Sequence, residues 1–135
     1  MARLQPKRVI VYSLAQARAA IEAAAGRPLI LMSHRDMAGF MGPLWFKALV
    51  EEAVVGSPGA NVTALLDCAD EAATTLGALR CGFKLVRFTG PEDQRARLEN
   101  IARQLGAHVE GGTDDEPLDL LDCKDPLAAC RTFFG

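Results

Sequence analysis

Short apolar runs alternate with amphipathic helical patterns along the whole chain, and this alternation most limits what it can fold into. A strand that returns parallel to its predecessor needs a crossover, and a helix is the ordinary way to make one. The pattern therefore predicts one α/β domain over residues 1–135, built on a parallel sheet.

The first run, Arg8 to Tyr12, reads as a strand, and Ser13 with Gln16 forms a capping box for a helix. Leu14, Ala17, Ile21, Ala24 and Ala25 make its apolar stripe, ended by Gly26 and Pro28. A second strand, Leu29 to Ser33, leads through a loop to Pro43, which opens a helix carrying Phe46, Leu49, Val50, Ala53 and Val54 inward. After the turn from Gly56 to Gly59 comes the strand Val62 to Leu66. Asp70 is then expected to cap a helix that buries Ala73, Leu76 and Leu79. Phe83 to Phe88 reads as the fourth strand. The helix opened by Pro91 is expected to bury Leu98, Ile101, Ala102 and Leu105, and Ala107 to Glu110 is the fifth strand. Residues 111–116 read as a polar loop, and Asp125 with Pro126 opens a last helix.

Five strands with helices on both faces make a doubly wound sheet, flavodoxin-like or small Rossmann-like, of expected order 2-1-3-4-5 or alternatively 3-2-1-4-5. A net charge of −2 gives no general attraction to nucleic acid or to an anionic membrane, so neither is an expected partner. No apolar run approaches a membrane span. Cys68, Cys81, Cys123 and Cys130 form no CxxC pair, and reduced thiols in a cytoplasmic protein are the simplest reading. On one continuous helix Cys123 and Cys130 would stand about 10 Å apart, too far for a disulfide.

Ligands of such sheets bind beyond the carboxyl ends of the strands. The candidates there are Ser13, Ser33, Arg35, Gly39, Gly42, Asp70 and Thr89, for a small polar or anionic ligand or a protein partner. Arg35 and the glycines could hold an anion at the start of the Pro43 helix, although turn-forming and loop-packing roles explain the same residues. His34 could serve as an acid or base with Asp67 or Asp36 beside it, and Cys68 is a conceivable thiolate, or simply a small buried residue. His34, Asp36, Asp67 and Asp70 lack the spacing of a convincing metal set, so neither metal nor cofactor is expected. A non-catalytic binding module is preferred, and a small enzyme using His34 with Asp67 is the alternative. Leu127, Cys130 and Phe134 share one helical face with Phe133 adjacent, which suggests a homodimer through the last helix or burial within the chain.

In size and order of elements the chain resembles a response-regulator receiver. Asp67 stands where the phosphoacceptor would be, and Thr89 near the hydroxyl position. Tyr12-Ser13 replaces the acidic pair that this resemblance requires, and Glu110-Gly111 replaces the lysine. The turn after the first strand has no GxGxxG and no phosphate loop. As a whole the chain is similar to small bacterial α/β proteins.

Overall fold

The computed structural model describes residues 5–113 and 116–135. In chain order it contains β1 (Lys7–Ile10), α1 (Leu14–Ala24), β2 (Pro28–Met32), α2 (Met37–Met41), α3 (Pro43–Val54), β3 (Asn61–Asp67) and α4 (Ala72–Arg80). There follow β4 (Leu85–Arg87), α5 (Glu92–Gln104), β5 (His108–Glu110), β6 (Leu118–Asp119) and α6 (Pro126–Phe134). Every strand pairing is parallel, and the order across the sheet is β5-β4-β3-β2-β1-β6.

Local chemistry sets several boundaries. Ser13 Oγ accepts a hydrogen bond from Gln16 N at 3.2 Å and so caps α1, while Gln16 Oε1 accepts one from Tyr12 N at 2.8 Å. Gln16 Nε2 donates to Leu120 O, tying that cap to the end of β6. Gly42, at φ +79°, makes the bend between α2 and α3, a conformation that disfavours any side chain, and Pro43 follows at the first helical position. Asp125 Oδ1 accepts from Ala128 N and starts α6.

One side of the sheet carries Val9, Val11, Leu29, Leu31, Leu66, Val86, Phe88, Val109 and Leu120. All are buried in one cluster with Ala17, Ala20, Ala24, Phe46, Ala53, Ala78, Leu79, Leu98, Ala102 and Cys130 of the helices. The other side carries a small separate cluster of Ile30, Met32 and Leu65, flanked by Ile10 and Leu85, with no helical member. The helices therefore line one face, with α1 packed between α3 and α6.

The face without helices is concave. The pairs Ile10–Met32–Leu65–Leu85–His108 trace one row across five strands. Arg8 lies two residues before Ile10, so its row meets β5's chain at Gly106. Its side chain nevertheless bonds Glu110, at 2.9 Å through both Nη atoms. In a flat sheet β1 and β5 would stand about 19 Å apart, well beyond the reach of the two side chains. The offset is four residues over four strand steps. That is the stagger of an eight-stranded barrel with a shear of eight, so the sheet curls like a segment of such a barrel.

The single parallel α/β sheet is as expected, but its winding is not. Among the described residues the strands number six, and their order is neither 2-1-3-4-5 nor 3-2-1-4-5. From β1 to β5 each strand is laid beside the last, and right-handed crossovers taken in one direction put all their helices on one face. A doubly wound, flavodoxin-like sheet with helices on both faces is thereby replaced. Four side chains also differ in placement. Ile101 and Leu105 are 37% and 44% exposed because α5 rests on Leu98 and Ala102 alone, and α4 is rotated so that Thr75, Ala78 and Leu79 are buried while Ala73 is exposed. Ala25 ends α1 in the left-handed region and faces outward.

Candidate functional site

The carboxyl ends of the strands gather the polar residues of the concave face. Asp67 and Arg87 are register partners on β3 and β4, and Arg87 is in turn paired with Glu110 on β5. Arg87 Nε and Nη2 donate to Glu110 Oε2 at 3.0 and 2.8 Å, and Nη2 also donates to Thr113 Oγ1 at 2.9 Å. Burial pushes the Glu110 carboxyl up, but the bonds from Arg8 and Arg87 outweigh it and hold the group below the usual range. On the far side, Tyr12 Oη donates to Asp119 Oδ1 at 2.7 Å. Burial, and then that bond, raise the Tyr12 phenol.

Asp67 itself is only 8% exposed. Its Oδ1 accepts from Ala69 N at 3.0 Å, and its own N–H donates to Ser33 Oγ at 3.0 Å. Burial raises its carboxyl above the ordinary value, against the lowering effect of the Ala69 amide and the nearby charges of Arg87, Arg35 and His34. His34 is close enough for that influence, and its ring lies 6.1 Å from that of Tyr12. However, its Nδ1 accepts from Asp36 N at 3.2 Å, and no hydrogen bond joins it to Asp67 among the described residues. Cys68 points to the helix side, fully buried, with its thiol pushed up to about 12 by burial, which leaves it no thiolate character near neutral pH.

Beside Asp67, a cavity of about 270 Å³ opens between the residues that follow β2 and those that follow β3. Arg35, Asp36, Gly39, Phe40, Ala69, Asp70 and Glu71 line it. At Gly39 the Glu71 carboxylate lies against the backbone, where an added Cβ would make that side chain shift. Arg35, Gly39 and Asp70 thus line one cavity. Ser33, buried, supports Asp67 from below, whereas Ser13 is occupied as the α1 cap and Gly42 as a helix bend. Thr89 is exposed, with its N–H donating to Ala69 O at 2.7 Å. Asp70 does not cap α4: that position falls to Glu71, which makes no side-chain cap, so Asp70 is free to line the cavity.

A wider groove of about 640 Å³ lies at the amino end, between α1 and α3. Its lining is mostly small apolar residues with Arg18 and Glu22, and it lies away from the strand ends where polar groups converge. Sequence reading missed Arg8, Arg87 and Tyr12. The signal for the first two was present, since Arg8, Arg87 and Glu110 interrupt strands that would be apolar throughout if both faces were covered.

Among the described residues, no group of three His, Cys, Asp or Glu side chains is placed to hold a metal ion. No helix there is long and apolar enough to cross a membrane. Of the residues suggested for a homodimer, Cys130 is fully buried and Leu127, Phe133 and Phe134 are half-buried against the same chain's core. Lys7 lies over the Phe133 ring and Arg27 over the Phe134 ring.

No family model matches the chain, and neither does any curated protein. Among solved structures it is similar to one from Coccidioides immitis provisionally assigned as a fructose-1,6-biphosphate aldolase. The two share 18% identity at a TM-score of 0.61, over 78% of this chain and 45% of that one. The likeness is one of fold, and this chain spans less than half of that structure.

Proposed function

We propose that the chain binds a small polar ligand at the carboxyl edge of its sheet, in the cavity beside Asp67. The observation that supports this is the cavity of about 270 Å³ itself, assembled from two strand ends with one guanidinium, three carboxylates and the ring of Phe40 around it. The acidic excess favours a neutral or cationic polar ligand over a simple anion, and Arg35 adds a single cationic point. Melting of the full chain against a panel of polyols, amines and sulfate tests the reading. A ligand of the first two kinds should raise the melting temperature, and Arg35→Ala or Asp70→Asn should remove the increment. Equal increments in all three proteins, or none from any compound, would overturn it.

The second reading is a small enzyme that uses His34 with Asp67. One observation favours it: a carboxyl raised by burial at a strand end, within the electrostatic reach of an imidazole. Aldol chemistry, named for the similar structure, would require a Schiff-base lysine or a metal set. Among the described residues the concave strand positions carry no lysine and no such set.

A further inference from the structure

Asp67 and Arg87 are opposite charges on neighbouring strands, paired in register and facing the same concave side. Adjacent strands run about 4.8 Å apart, close enough for such neighbours to form an ion pair. Here they do not: no contact within 4 Å joins the two charged groups among the described residues. Each is instead committed elsewhere by part of its hydrogen-bonding capacity. Arg87 gives Nε and Nη2 to Glu110 and Thr113, which fixes the plane of the guanidinium and leaves Nη1 without a hydrogen-bond partner among the described residues. Asp67 Oδ1 accepts from the Ala69 amide, which fixes the carboxylate and leaves Oδ2 without a hydrogen-bond partner among the described residues. Both atoms still reach accessible space, since Trp45 Nε1 alone is a sealed, unpartnered side-chain atom among the described residues. A donor and an acceptor, each oriented by its other bonds, thus stand side by side in a largely enclosed place.

We propose that Arg87 Nη1 and Asp67 Oδ2 together take the head group of a small carboxylic acid that carries a hydrogen-bond donor on the adjacent carbon, as α-hydroxy and α-amino acids do. The carboxylate accepts from Arg87, and the neighbouring O–H or N–H donates to Asp67. This goes beyond the cavity reading and stands without it, because neither residue lines that cavity.

The test is a titration of the full chain with glycolate, glycine and acetate, followed by the backbone amide resonances of Asp67, Ala69 and Arg87. A charge-assisted hydrogen bond from hydroxyl or ammonium to Asp67 should make glycolate or glycine bind about tenfold more tightly than acetate. The better of the two tells whether the donor is neutral or cationic. Asp67→Asn keeps the Ala69 bond but presents an N–H in place of an oxygen, so it should erase the advantage over acetate. Arg87→Lys should weaken all three acids. Equal binding of all three acids in the parent, an advantage that survives Asp67→Asn, or no response at these amides would overturn the proposal. Shifts confined to Arg35 and Gly39, and abolished by Arg35→Ala, would overturn it while leaving the cavity reading intact.

Discussion

Arg8 on β1 and Glu110 on β5 are 102 residues apart in sequence, yet they meet through two hydrogen bonds of 2.9 Å across the concave face. Arg87 reaches the same carboxylate from β4, so one acid is shared between two guanidiniums whose side chains are 13% and 14% exposed. Removing one partner from a buried arrangement of this kind leaves charge without compensation. Glu110→Ala should therefore lower stability by about 3 kcal/mol, read from denaturant midpoints. A loss near zero would mean that the pair does not hold the curl.

The pH dependence has two opposed contributions. Glu110 is held below its unfolded value, so the stability it adds is fully present above about pH 4.3 and is lost as pH falls through the folded value. Asp67 has the reverse sign. Its folded carboxyl is raised, so it favours the fold when protonated and costs stability as pH rises through that raised value. Asp67→Asn should then be more stable than the parent at neutral pH, with the difference vanishing in acid. Parallel stability curves for the two proteins would refute this sign.

On α5, Leu98 is 6% exposed and Ile101 is 37% exposed. Leu98→Ala should cost about 2–5 kcal/mol and Ile101→Ala less than about 1 kcal/mol. Similar costs at both positions would show the helix turned to bury both side chains.

A homodimer through α6 is proposed to cover what the chain itself leaves open of Phe133 and Phe134. The expected result is a dimer mass in light scattering at micromolar concentration, converted to a folded monomer by Phe134→Asp. A monomer mass that persists on concentration removes the interface. Chemical denaturation of the same variant reads the ring's other role, its contact with Arg27 within the chain.

The α/β class was legible because strand and helix periods differ and the caps at Ser13, Pro43 and Asp125 are strong local signals. The order of the strands was not, because alternation fixes which elements exist and not which neighbours they choose. The clue lay in side-chain parity. His108, Val109 and Glu110 place a large apolar residue on one side of the strand and polar ones on the other, and Arg87 stands opposite Val86 on β4, as a sheet covered by helices on one face allows. The two-residue β6 and the five-residue α2 were too short to carry a period. At the site, Arg35, Gly39 and Asp70 were found from their positions after strands, whereas Arg8, Arg87 and Tyr12 were missed. They act through partners from about 20 to more than 100 residues away, and no local pattern records such distances.

The sheet order also bears on how the chain assembles as it leaves the ribosome. From β1 to β5 each new strand docks on the one made just before it, so every step joins near neighbours in time and closes a short loop. The two elements after β5 break this progression: β6 pairs with β1, and α6 settles on α1. Until residues 118–134 are made, one flank of α1 and one edge of β1 await these partners. The β1–α1 unit thus gains its outer neighbours only after β5 has been made.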